Sequence, residues 1–193
     1  MLDIAFDLKG SFIPAGYVFA LWDEVVRCLP WLDAEKYAGI LPLRAAANGE
    51  NMLLPQRTKL VLRLPTKLAP QAMQLCGQEL DAGGSALRIG KAKEKLLQPH
   101  PTLHAQLVES NSEEEAFLAD MADQLREMGV VCKLICGKRN TVTGAKQSVA
   151  GYSLVLHDLK PDASLQIQRA GLGGKRHYGC GIFVPYKTIS GLD

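Results

Sequence analysis

The segment GLGGKRHYGCGIFVPYK, residues 171–187, concentrates the groups best suited to bind a polyanion. Five glycines, Gly171, Gly173, Gly174, Gly179 and Gly181, fall within eleven positions, and Lys175, Arg176 and His177 stand between them. Glycine lets the main chain come close to a phosphate and present its N–H groups. Lysine and arginine add charge-assisted contacts, and Lys187 closes the segment with one more cation. For a phosphate to dock there, the loop's N–H groups must face outward. A helix is predicted to end just before the loop, so this is not a phosphate pocket at a helix N-terminus, and the Walker pattern is absent. A glycine-rich hairpin with basic decoration is the plainer alternative.

His177 lies among these cations, where an imidazole with a reference pKa of about 6.5 can contact phosphate or act as acid or base. His104 is a weaker candidate, on a predicted strand with its side chain opposite Leu103, Ala105 and Leu107. His100 sits between Pro99 and Pro101 as linker, and His157 ends a strand beside Asp158. Arg44, Lys138, Arg139 and Lys146 are further candidate phosphate contacts. The last three lie in GKRNTVTGAKQS, residues 137–148, read as a polar loop able to enter a nucleic-acid groove or as an exposed hairpin.

Charge is unevenly spread. Between Glu109 and Glu127 there are seven acids and one base, whereas Lys133 to Lys187 holds nine bases and two acids. The basic stretch suits a phosphate-binding face, although net charge is only +2. The five cysteines are odd in number and irregular in spacing, which argues against a disulfide framework. Cys132 and Cys136 fall in the apolar run VVCKLIC. Four residues along a strand separate side chains by ~13 Å, too far for one zinc ion, so no metal site and no cofactor are expected. Apolar runs are strand-sized and the N-terminus has no signal-peptide pattern, so no membrane span and a cytoplasmic location are expected.

These groups must be positioned by elements. Leu2, Ile4, Phe6 and Leu8 alternate as a strand, and Val18 to Leu29 follows helical spacing until Pro30. Strands are predicted at 40–46 and 59–64, a helix at 70–76 and a strand at 86–89. The second half repeats the order: a strand at 102–108, a helix capped by Ser112, strands at 130–136 and 148–157, a helix from Asp162 to Gly171, and a strand at 182–184. The expected fold is α+β, two tandem ferredoxin-like βαββαβ units with antiparallel sheets, at 1–98 and 102–193.

With a glycine-rich loop after its last helix, the chain resembles the CRISPR repeat-processing endoribonucleases, the sixth Cas protein of the RAMP superfamily, in the subgroup first described in myxobacterial systems. The matching stretches are IPAGYVFALWDEVVRCLPWL (13–32), LVLRLP (60–65), GQELDAGGSALRIG (77–90), GYSLVLHDL (151–159) and SLQIQRAGLGGKRHYGCGIFVPYK (164–187). The resemblance implies tandem ferredoxin-like folds, binding of CRISPR repeat RNA, and one metal-independent cut by the ribose 2′-hydroxyl. It also implies retention of the crRNA and transfer to other Cas proteins of an interference complex. The family carries a histidine near the start of the first helix, where this chain has Tyr17, and one in the PYK segment, where it has Tyr186. The resemblance therefore implies catalytic positions at Tyr17 and Tyr186, and His177, placed among the loop cations, is the third catalytic candidate. Free tyrosine, with a pKa of about 10, is a poor base, so a repeat-binding subunit that cuts slowly or not at all is the alternative. A duplicated ferredoxin-like regulator of small molecules would show no salt-dependent RNA binding.

Overall fold

Alternation and periodicity in the sequence become two layered units, seen in a computed structural model that describes residues 1–48 and 51–186. Backbone contacts group Met1–Leu97, Thr141–Val149 and Arg176–Gly179 into one unit, and Gln98–Asn140, Ala150–Lys175 and Cys180–Asp193 into the other. Each has its own apolar core.

In the first unit β1 (Leu2–Lys9) buries Leu2, Ile4, Phe6 and Leu8 on one face. A short β2 (Phe12–Pro14) leads to α1 (Tyr17–Cys28), whose Leu21, Trp22 and Val25 complete that core. Then come β3 (Gly39–Ile40), β4 (Ala46–Asn48), β5 (Asn51–Leu53) and β6 (Lys59–Leu64). α2 (Ala69–Ala72) runs into a 3-10 turn, followed by β7 (Glu79–Asp81) and β8 (Ala86–Leu96). The main sheet has the order β3-β6-β1-β8-β7, and β2, β5 and β4 form a small second sheet. Strands β1, β3, β6 and β8 with the two helices make a ferredoxin-like unit.

The strand expected at 40–46 is cut short. Leu41 still donates to the Val61 carbonyl, but Pro42 has no N–H to continue the ladder. On the sheet's other face Asp3 stands opposite Arg63, and their side chains form a two-point ion pair at 2.7 and 2.9 Å. Arg63 is fully buried, so the pair replaces water as the partner of both charges.

The second unit runs β9 (Leu103–Glu109), α3 (Glu114–Glu127), β10 (Lys133–Thr143), β11 (Ser148–His157), α4 (Pro161–Ala170) and β12 (Val184–Pro185). Its sheet order, β10-β11-β9-β12, is again ferredoxin-like. Ser112 does not cap α3: Glu113 occupies that position, with Glu114 and Glu115 in the first turn, where the helix dipole favours acids. The polar stretch 137–148 is not a loop. β10 continues to Thr143, carried by the β-branched Thr141, Val142 and Thr143, and only four residues separate it from β11. Its polarity reflects exposure of both faces, not irregular backbone. Among the described residues no helix is long and apolar enough to cross a membrane.

Candidate functional site

The glycine-rich segment is mostly structural. Gly171 ends α4 at φ 73° and donates to the Ile167 carbonyl. Leu172 donates to the Gly181 carbonyl and Gly181 to the Leu107 carbonyl. Gly173 donates to the Gln124 side chain at 3.1 Å, and the Gly179 and Cys180 amides bond to the Arg176 and Lys175 carbonyls. A Cβ on Gly179 would come within 2.9 Å of the Ile40 carbonyl. Close approach is therefore required, but to the protein's own backbone. The expected cradle of outward N–H groups is absent at Gly171, Gly173, Gly179 and Gly181, because those amides are already bonded internally.

An exposed crest remains, formed by Gly173, Gly174 and Lys175. Lys175 holds a left-handed backbone at φ 56°, a region that disfavours side chains with a Cβ.

Arg176 is not a surface cation. Only 9% exposed, it donates from Nε to the Tyr37 carbonyl at 2.8 Å. Burial and the nearby Arg63 charge hold its pKa down at about 10. His177 is half-buried and lies on Trp22, with ring centroids 4.4 Å apart and planes 8° from parallel. Its Nε2 is 3.3 Å from the Glu35 carbonyl oxygen. If that nitrogen carries the proton and donates, Nδ1 keeps a lone pair and can accept one. Tyr178 meets Phe19 edge-on. The same turn, Glu35 to Tyr37, also presents Lys36 with its Nζ 4.8 Å from the exposed Tyr37 ring. Sequence reasoning missed Lys36 and Tyr37, since a lysine–tyrosine pair in a short connection carries no periodic signal.

Tyr17 is a core residue rather than a catalytic surface group. It is 5% exposed, and its hydroxyl accepts the Leu43 N–H at 2.7 Å. Burial pushes its pKa up to about 12, further from any role as a base at neutral pH. Tyr186 is exposed, and its ring centroid lies 5.4 Å from that of His104.

The remaining predicted contacts divide. Arg44, Lys138 and Lys146 are exposed. Arg139 is engaged, donating to the Ser112 carbonyl and the Tyr152 hydroxyl at 3.1 and 3.2 Å and lying over the Tyr152 ring. Lys187 lies outside the described residues. Cys132 and Cys136 pack against the second unit's core, and burial raises both thiol pKa values.

Residues 2–188 match a family model described as Cas6 Crispr. A CRISPR-associated endonuclease Cas6 of Myxococcus xanthus (strain DK1622) is 32% identical over 186 residues, spanning 95% of this chain and 81% of that protein. A solved structure titled as a RAMP protein binding different RNA substrates superposes with a TM-score of 0.71 at 10% identity, covering 97% of this chain and all of the other. A Cas6-related protein of Pyrococcus furiosus gives 0.68 at 12% identity, covering 95% of this chain and 97% of that one. At these identities the two structures speak to the fold, which they share.

Proposed function

Because the chain belongs to the Cas6 family, we propose that it binds CRISPR repeat RNA and cuts precursor crRNA once, without a metal ion, leaving the product for an interference complex. The observation that carries this is the family match along nearly the whole chain, to a relative named as an endonuclease. The ribose 2′-hydroxyl attacks the adjacent phosphate and the 5′-oxygen leaves, giving a 2′,3′-cyclic phosphate and a 5′-hydroxyl. The RNA supplies the nucleophile. The protein has to align it, move protons and neutralise charge.

His177 is the proton acceptor in this proposal. The Trp22 stack and the Glu35 carbonyl fix its ring, as an orienting carbonyl fixes the tautomer of many catalytic histidines. Lys36 and Tyr37, exposed on the same turn, are the groups able to meet a phosphate oxygen. Lys175 on its crest, with Lys138, Lys146 and Arg44, supplies backbone contacts.

A second reading, a repeat-binding subunit that cuts slowly or not at all, is favoured by one observation: Tyr17 is buried with its hydroxyl engaged by Leu43. Incubation with repeat RNA in EDTA separates the two. Cutting requires one product with a cyclic phosphate end, and none when the scissile nucleotide carries a 2′-deoxyribose. Binding without product supports the second reading. Absence of salt-dependent binding would sink both.

A further inference from the structure

The outward face of the second unit's sheet gathers planar and branched side chains around His104. His104 projects from β9, with Val155 of β11 and Val184 of β12 as its register partners. Tyr186, two residues beyond Val184, lies on the same face beside the His104 ring and is 40% exposed. Gln106 is exposed two residues further along β9. One step the other way, Thr102 Oγ1 meets His157 Nδ1 at 3.1 Å. Ile135 of β10 is 54% exposed, and Lys133 on that strand is neutralised by Asp158 at 2.8 Å. Burial favours the neutral form of the His104 imidazole.

The patch around His104 and Tyr186 is built mainly of uncharged side chains, and the Lys133 cation is ion-paired to Asp158. It offers two ring faces, aliphatic flanks and amide and hydroxyl groups at its margin, which suit a flat, uncharged group with hydrogen-bonding edges. We propose that the His104–Tyr186 face of the second unit's sheet is a stacking platform for unpaired nucleobases of the bound RNA, distinct from the groups that contact its phosphates. The inference rests on the RNA-processing reading above and adds a ligand class to it. Tyr186 thereby acts in binding, and not in the proton transfer expected of it from sequence. Stacking is tolerant of base identity because every base has a π-face.

The test uses the full chain and an unstructured hexaribonucleotide containing 2-aminopurine, whose fluorescence falls when the base stacks, alongside a fully paired stem-loop. Wild type should quench the probe on binding. Tyr186→Ala should lose the quench and bind the hexamer about tenfold more weakly, with a much smaller change for the stem-loop. His104→Phe, which keeps a planar face, should retain the quench where His104→Ala reduces it. Wild-type quenching and affinity in Tyr186→Ala would overturn the platform, as would equal losses for both RNAs. Self-association that Tyr186→Ala abolishes, with RNA binding unchanged, would assign the face to a second copy of the chain instead. Wild type that binds the stem-loop but not the hexamer sinks the platform alone, whereas binding to neither sinks the RNA reading as well.

Discussion

His177 lies flat on the indole of Trp22, 4.4 Å between ring centroids, and its Nε2 faces the Glu35 carbonyl oxygen. A histidine that the sequence places among the glycines and cations of a loop is thus held at two points. Such a ring can be a packing element, a positioned base, or both, and the two roles respond differently to substitution.

His177→Phe keeps a planar ring on Trp22 and removes the nitrogens. It should retain most of the stability yet abolish cutting of repeat RNA. His177→Ala should lose about 1 kcal/mol of stacking and shift Trp22 fluorescence. Cutting by His177→Phe at the wild-type rate would leave the ring a purely structural part.

Tyr17→Phe removes the acceptor of the buried Leu43 N–H. Leaving such a donor without a partner costs about 1–3 kcal/mol. Urea unfolding should show that loss, while single-turnover cleavage per folded molecule stays at the wild-type rate. A slowed chemical step with unchanged stability would return Tyr17 to the catalytic set.

Lys175 and Arg176 are neighbours in sequence with opposite expected behaviour. Lys175→Gly relieves the left-handed backbone and should stabilise the chain by up to about 1 kcal/mol, while lowering RNA affinity and reducing the salt slope by about one contact. Arg176→Ala should destabilise by about 2 kcal/mol, because the guanidinium is buried and donates to Tyr37. Thermal unfolding beside filter binding for each variant separates the effects.

Asp3→Ala leaves Arg63 buried without its carboxylate, and Arg176 is close enough for their charges to interact. Breaking a buried ion pair from one side costs about 3–5 kcal/mol. A midpoint in urea close to wild type would show that water reaches the site.

Burial depresses the His104 pKa below its usual value, so the folded state prefers the neutral imidazole. Its contribution to stability is whole above about pH 6.5 and is lost as pH falls through the folded pKa. The groups facing it are Val155, Val184 and Tyr186, with His157 one step away across Thr102. Stability measured from pH 7.5 to 5 should fall less in His104→Gln than in wild type. Identical slopes would show that His104 is solvated in the fold.

The sequence by itself determined the two ferredoxin-like units. Alternation at Leu2, Ile4, Phe6 and Leu8 and the spacing of Phe117, Met121 and Leu125 set which faces are apolar, and those faces have no other way to leave water. It marked the glycine-rich segment but not its use. Whether a glycine serves a ligand or its own backbone depends on what stands opposite, and at Gly179 that is the Ile40 carbonyl from far along the chain. The same limit hid the burial of Tyr17 and Arg176 and the meeting of His177 with Trp22 and of His104 with Tyr186. Hydropathy and spacing are local properties, whereas burial and contact are set by long-range pairing, which only the tertiary structure decided.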